Sequence, residues 1–175
     1  MSLPALESKE LPTPGGVLAI VIDPMTNTVI ASGFSSVADQ VGRLTAAELA
    51  RGIQAISAST AIDPIVRSIA AYSDGDLLAL DVVAVSQPGG PFSQDAWIAL
   101  RQVGPGDTAT YSQLAALAGR PTAVRAAGTA CARNRVAPFV PCHRIVRTDG
   151  SLGGYYYGLA VKSALLRHEG ALLQL

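Results

Sequence analysis

The chain lacks a disulfide framework and any long apolar run. Its 175 residues include two cysteines, Cys131 and Cys142, which fits a reducing compartment better than a disulfide-stabilised fold. No apolar run approaches the ~18 residues that span a membrane. The first fourteen residues have no apolar segment of the kind found in a signal peptide. We therefore expect a cytoplasmic protein of one large domain or two small ones.

Acidic residues are scarce in the second half of the chain. The net charge is zero, yet residues 1–97 carry four basic and ten acidic residues, whereas residues 98–175 carry nine and three. Between Thr108 and Thr148 no acid occurs. The same stretch contains six arginines: Arg120, Arg125, Arg133, Arg135, Arg144 and Arg147. This asymmetry indicates an anionic partner for the C-terminal half, with a merely solvated basic face as the alternative.

The N-terminal half contains neither cysteine nor histidine, so its role looks structural. Val17–Ile22 and Thr28–Gly33 predict a β-hairpin. Thr45 and Glu48 form a capping box, and the apolar residues from Leu49 to Ile56 continue that helix. The segment 77–85 reads as a further strand. The division predicted is a structural domain over 1–86, a Pro/Gly-rich linker over 87–91 and a second domain over 92–175.

The second domain reads as helical. Ser93 can cap a first helix, and the pair Thr110 and Gln113 forms a capping box that opens a second. Pro121 is expected in the first turn of a third helix that runs to about Arg133. Two short helices joined by a glycine-containing turn have the outline of a helix-turn-helix, although many helical hairpins share it.

The most informative stretch is VPCHRIV, residues 140–146. A thiolate is a much better nucleophile than a thiol, and an adjacent histidine can withdraw the proton of Cys142. On an extended strand Cys142 and His143 would point to opposite faces, so they can cooperate only on a turn. A buried, inert cysteine beside an incidental histidine is the alternative on chemistry alone.

The string PCHRIV is preceded by TYSQLAALAGRPTAVRAAGTACARN and followed by GSLGGYYYGLAVKSALLRHEG. Together these strings closely resemble the O6-alkylguanine-DNA alkyltransferase family, densely over roughly residues 92–170. The resemblance implies an α+β fold with a ribonuclease H-like α/β N-terminal domain and a helical C-terminal domain that contains a helix-turn-helix. It implies irreversible, single-turnover transfer of an alkyl group from O6-alkylguanine in DNA to a protein cysteine. No cofactor and no metal are expected.

The resemblance assigns four residues to the chemistry. Cys142 corresponds to the alkyl acceptor and His143 to the base that withdraws the thiol proton through a water. Glu169 corresponds to the carboxylate that holds this histidine in the productive tautomer. Asn134 corresponds to the asparagine that braces the turn around the cysteine.

Other residues correspond to those that bind DNA and the extruded base. Arg125 matches the finger that fills the gap left by the flipped nucleotide, and Tyr111 matches the tyrosine that crowds the target phosphate. Small residues on the second helix of the motif would let it approach the minor groove without reading sequence: Ala126, Ala127 and Gly128. For the substrate, Tyr155 matches the aromatic of the active-site loop, and backbone groups near Ile145 and Tyr156 are expected to read the guanine edge. Tyr156 and Tyr157 are expected to narrow the pocket beside the alkyl group. The protein is expected to bind double-stranded DNA as a monomer, away from any membrane.

Two departures from the family pattern stand out. Arg135 replaces the usual proline after the asparagine and could add a phosphate contact, while Tyr156 and Tyr157 replace residues that are often small. Cys131 is expected to pack a helix. Two alternatives are a non-reacting alkyltransferase-like damage sensor, which the presence of Cys142 disfavours, and a thiol hydrolase, which nothing outside the motif supports.

Overall fold

The chain folds into a mixed α and β structure, and the computed structural model describes residues 3–171. It divides into two compact units. The first comprises the chain up to Gln87 together with Arg135–Ala137, and the second comprises Pro88–Asn134 and the chain from Pro138 onward.

The first unit is built on a four-stranded sheet in the order β3-β2-β1-β4. Its elements are β1 Leu6–Thr13, β2 Gly16–Asp23, β3 Thr28–Gly33, α1 Val37–Val41, α2 Ala46–Leu49, β4 Ile53–Ala55 and α3 Ile62–Ser73. The predicted hairpin is confirmed, since β2 and β3 pair antiparallel. One face of α3 packs its apolar residues inward because they recur at helical spacing: Ile62, Ile65, Ile69 and Tyr72.

Two predictions in this unit are wrong. The helix that opens at the confirmed Thr45–Glu48 capping box ends at Leu49, because Gly52 takes a positive φ of 75° and the following residues form β4, parallel to β1. Ile53 therefore packs against the core of the sheet. The segment 77–85 is a series of turns, and only Val85 bridges to the sheet, at Val29. The strand β1 had no clear signal in its polar sequence.

The second unit is mostly helical. Its elements are α4 Pro91–Leu100, β5 Ala109–Thr110, α5 Tyr111–Leu117, α6 Val124–Arg133, a 3₁₀ turn Cys142–Arg144, β6 Ile145–Val146 and α7 Leu159–His168. The capping box at Thr110 is confirmed. Helix α4 begins two residues before Ser93, with Gly90 at its N-cap and Pro91 in the first turn. Pro121 precedes α6, which begins only at Val124, so these two predicted helix starts are wrong.

Helices α4, α5 and α6 pack against one another. Trp97 of α4 donates its indole N–H to the carbonyl of Ala130 at 2.9 Å. The same ring lies so close to Gly89 that a Cβ there would come within 2.5 Å of it. The short parallel pair of β5 and β6 places Ile145 beside Ala109, directly after the Cys-His turn.

Candidate active site

Cys142 lies on the single turn of 3₁₀ helix that ends in Arg144. The turn is closed by the N–H of Arg144, which donates to the carbonyl of Pro141 at 3.0 Å, and the N–H of Cys142 donates to Val140 at 2.9 Å. The expectation of a turn at these residues is confirmed. The Cys142 side chain is buried, with 8% of the residue exposed, so only a group that enters the adjacent pocket can reach it.

Asn134, the residue directly after α6, braces this turn. Its buried side-chain amide donates to the carbonyl of Val140 at 2.7 Å and to the Sγ of Cys142 at 3.2 Å. An N–H donor directed at sulfur favours the thiolate over the thiol. The amide therefore fixes the turn and supports the charged form of the nucleophile.

His143, Arg144 and Glu169 form a buried charge network. The imidazole Nε2 of His143 lies 2.9 Å from Oε1 of Glu169. Arg144 donates through Nε to Oε2 at 2.9 Å and through Nη2 to Oε1 at 3.0 Å. A third donation, from Nη1, goes to the carbonyl of Val103 at 2.6 Å. Glu169 stands just after the end of α7, so that helix delivers the carboxylate to the turn.

The network fixes the protonation of the histidine. Burial alone would raise the pKa of Glu169, but the hydrogen bonds from His143 and Arg144 outweigh it and lower the pKa to about 2. Burial also lowers the pKa of His143, which keeps the ring neutral. Since an ionised carboxylate only accepts, Nε2 carries the proton, and Nδ1 is left as the acceptor. Nδ1 has no protein hydrogen-bond partner among residues 3–171.

Cys142 opens into a pocket of about 250 Å³. The walls come from α5, α6, the 3₁₀ turn and the loop before α7: Tyr111, Gly128, Cys131, Ala132, Cys142, Gly154, Tyr155 and Tyr156. Cys131, which was expected only to pack a helix, therefore also lines the pocket. Burial strongly raises the pKa of its thiol, which keeps Cys131 protonated.

The remaining predicted substrate contacts lie outside this lining. Tyr157 packs edge-on against Tyr155 and Tyr156, with ring centroids 5.7 and 4.9 Å apart. The side chain of Ile145 is fully buried in β6. Tyr157 thus packs against two tyrosines of the pocket wall. The side chain of Ile145 belongs to the core, and a substrate contact through the backbone near Ile145 stays a prediction.

Lys162 was missed by the sequence reading. Its ammonium group is buried and donates to the carbonyls of Ile145, Leu152 and Gly154. Burial lowers the pKa of Lys162 to about 8. Two of these carbonyls belong to the loop that carries the tyrosines, so Lys162 ties that loop to β6. The only sequence signal was a lysine on the inner side of an otherwise apolar helix.

The predicted DNA-binding residues divide by exposure. Arg125 is exposed on α6, and Ala126 and Gly128 are partly exposed, whereas Ala127 is fully buried together with Ala130. Ala127 therefore serves the packing of α6 and is not presented to a ligand. Tyr111 is half-buried at the first position of α5, where burial raises its pKa.

Two of the six arginines do not belong to a basic face. Arg144 is buried on Glu169, and Arg135 is 5% exposed and paired with Glu48 at 2.6 Å. The suggestion that Arg135 contacts phosphate is therefore wrong. The exposed arginines of the stretch are Arg120, Arg125, Arg133 and Arg147.

Within residues 3–171, no cluster of three or more His, Cys, Asp or Glu side chains is placed to hold a metal ion. None of the helices in that range is both long and apolar enough to cross a membrane.

Comparison with known proteins extends the resemblance. Residues 91–171 match the family described as the DNA-binding domain of 6-O-methylguanine DNA methyltransferase. A methylated-DNA–protein-cysteine methyltransferase of Salmonella typhimurium is 44% identical over 105 residues, which is 60% of this chain and 61% of the relative. One of Methanosarcina acetivorans is 41% identical over 105 residues, covering 60% of this chain and 67% of the relative.

A solved structure agrees over nearly the whole chain. The structure of Mycobacterium tuberculosis OGT in complex with DNA superposes with a TM-score of 0.74 and 26% identity, covering 94% of this chain and 92% of the other. The sequence matches to the Salmonella relatives span about three fifths of their length. The family suggested by the sequence motifs is confirmed: the chain belongs to the methylated-DNA–protein-cysteine methyltransferase family.

Proposed function

We propose that this protein repairs DNA by transferring an alkyl group, typically methyl, irreversibly from the O6 oxygen of guanine to Cys142. The observation that carries the proposal is the position of the Cys142 thiol. It lies at a pocket wall, within 3.2 Å of the Asn134 amide, and its neighbour His143 is hydrogen-bonded to buried Glu169. A nucleophile, a base and a group that orients the base are the parts needed to activate a thiol.

The proposed reaction is a displacement at the alkyl carbon. His143 takes the thiol proton at Nδ1 through one water, while Glu169 keeps Nε2 protonated. The Cys142 sulfur then forms a bond to the alkyl carbon as the bond from that carbon to O6 breaks. The electron pair of that bond stays on the guanine, which takes up one proton in place of the proton that the thiol gave to His143, so normal guanine is restored. A thioether does not ionise back to thiolate, and each chain therefore reacts once.

The pocket requires the damaged nucleotide to leave the duplex, at a cost of a few kcal/mol in lost stacking. We assign the helix-turn-helix role to α5 and α6, with Arg125 filling the gap in the stack and Tyr111 facing the target phosphate. Exposed Arg120, Arg133 and Arg147 would hold phosphates without reading sequence. The small residues Ala126 and Gly128 would let α6 approach the minor groove closely. We expect the protein to bind there as a monomer.

We assign different roles to the two proposed domains. Residues 1–86, joined by Arg135–Ala137, form a ribonuclease H-like structural domain, and residues 87–91 form a linker whose last residue begins α4. The rest of residues 92–175 forms the DNA-binding and alkyl-transfer domain. Support comes from the Cys142 pocket and the His143–Glu169 pair, both built from residues of the second compact unit.

Intact-protein mass spectrometry with excess O6-methylguanine duplex tests the proposal. We expect a gain of one methyl per chain, no further turnover, and the methyl mapped to Cys142. Cys131→Ser, at the second thiol of the same pocket, is the matched control and should still accept one methyl, whereas Cys142→Ser should accept none and still bind DNA. Repeated turnover, or a methyl on Cys131, would refute the assignment, and binding without transfer in the wild type would indicate a damage sensor.

A further inference from the structure

The three residues after Asn134 are held firmly within the first unit. Ser32 of β3 donates its N–H to the carbonyl of Arg135 at 2.7 Å and its hydroxyl to the carbonyl of Ala137 at 2.8 Å. The N–H of Arg135 donates to the side-chain oxygen of Gln87 at 2.8 Å. Both backbone polar groups of Arg135 are thus bound.

The Arg135 side chain is bound as well. Its guanidinium donates to both carboxylate oxygens of Glu48, at 2.6 and 3.1 Å, and to the carbonyl of Arg43 at 3.1 Å. Glu48 is itself oriented by the capping box, since the N–H of Thr45 donates to it at 2.6 Å. A forked arginine–carboxylate pair of this kind is both strong and geometrically specific. We call the set Ser32, Arg43, Glu48, Gln87 and Arg135 the Arg135 clamp.

We propose that Arg135 is a positioning residue for Cys142, and that it acts through Asn134. Because a peptide bond joins Asn134 to Arg135, fixing Arg135 limits the positions that the backbone of Asn134 can take. Asn134 must hold its amide on two targets at once, the carbonyl of Val140 and the sulfur of Cys142. Hydrogen bonds weaken steeply with distance and angle, so a small rotation of the Asn134 backbone would weaken the N–H contact to sulfur.

The clamp has a matched control in the same unit. Arg51 and Asp23 form a second forked pair, at 2.6 and 2.8 Å, with side-chain exposures of 12% and 19% against 6% and 22% for Arg135 and Glu48. No residue of this pair adjoins Asn134 in the chain. Asp23→Asn therefore breaks a comparable ion pair and should leave the amide of Asn134 where it is.

The first experiment needs no DNA. The rate of Cys142 modification by iodoacetamide is followed against pH by peptide mass spectrometry in wild type, Glu48→Gln, Arg135→Ala and Asp23→Asn. We expect the pH midpoint to move upward in Glu48→Gln and Arg135→Ala, because the thiolate loses its N–H donor, and to stay at the wild-type value in Asp23→Asn. Unchanged midpoints in both clamp variants, or an equal shift in Asp23→Asn, would overturn the proposal.

The second experiment rests on the proposed function. Single-turnover methyl transfer from O6-methylguanine duplex should fall about tenfold in Arg135→Ala, which corresponds to about 1.4 kcal/mol in the barrier. Arg135→Lys, which keeps the charge but not the fork, should lie between Arg135→Ala and wild type. Thermal melts show which variants are folded. If wild type fails to accept a methyl, the proposed function fails, while the iodoacetamide arm still decides the clamp.

Discussion

Replacing Glu169 with glutamine removes one charge from the buried network at the active site and little else. The wild-type carboxylate is 4% exposed and accepts hydrogen bonds from both His143 and Arg144. Its pKa is about 2 in the folded chain against an ordinary value of 4.5. The difference of about 2.5 pH units corresponds to about 3 kcal/mol of stability at neutral pH.

The sign of the pH dependence follows from the lowered pKa. The contribution of Glu169 is complete above pH 4.5 and is lost as the pH falls towards about 2. Glu169→Gln should therefore melt about 6–12 °C below wild type at pH 7. The gap should narrow progressively as the pH falls below 4.5. Asp95→Asn, at an exposed carboxylate of α4 in the same unit, should melt like wild type.

The same variant should react slowly. A glutamine can turn its amide N–H towards Nε2 of His143, which would place the ring proton on Nδ1 and abolish the base. We expect methyl transfer to fall by about a hundredfold or more, the size typical of general base catalysis. A melting temperature within a degree or so of wild type, or a gap that does not change with pH, would refute the energetic reasoning. Methyl transfer at the wild-type rate would refute the proposed tautomer.

Three further predictions concern the DNA contact, the pocket wall and the buried lysine. Arg125→Ala should slow methyl transfer from duplex DNA much more than from free O6-methylguanine, and equal slowing would place the residue in the pocket or in folding. In single-turnover assays, O6-benzyl substrates should react more slowly than O6-methyl ones. Tyr157→Gly should raise the benzyl rate more than the methyl rate, because it frees the aromatic wall. The prediction is contradicted if the benzyl rate shows no specific increase. Because the pKa of Lys162 is about 8 in the folded chain against an ordinary 10.5, the unfolded chain binds more protons between these values and wild type should gain stability as pH rises. Lys162→Met should lack this gain in melts over the same range, and equal slopes for the two proteins would contradict it.

Local signals in the sequence were reliable where neighbours along the chain decide the structure. The capping boxes at Thr45 and Thr110 both form, because donor and acceptor are three residues apart. The turn at Cys142 and His143 follows from the same kind of local constraint. The family motif supplied Glu169 as the partner of His143, and no pattern in spacing alone connects two residues 26 positions apart.

The predictions that failed concern residues whose structure depends on partners distant in the sequence. The apolar run 77–85 resembles a strand, but its buried and exposed residues follow a series of turns, with Val82 80% exposed. Arg135 and Arg144 look like surface charges until Glu48 and Glu169 are placed beside them. Lys162 is buried because three backbone carbonyls converge on it. The periodicity of side chains along a sequence does not predict where backbone carbonyls converge.

The return of Arg135–Ala137 to the first unit bears on how this protein can be recombined with its relatives. The family match begins at residue 91 and contains these three positions, so a chimera joined at the Pro/Gly linker would import them without their partners. Ser32, Glu48 and Gln87 would come from one parent and Arg135 from the other. The residues that must come from the same parent are thus discontinuous in sequence. A chimera should take Ser32, Glu48, Gln87 and Arg135 from one protein.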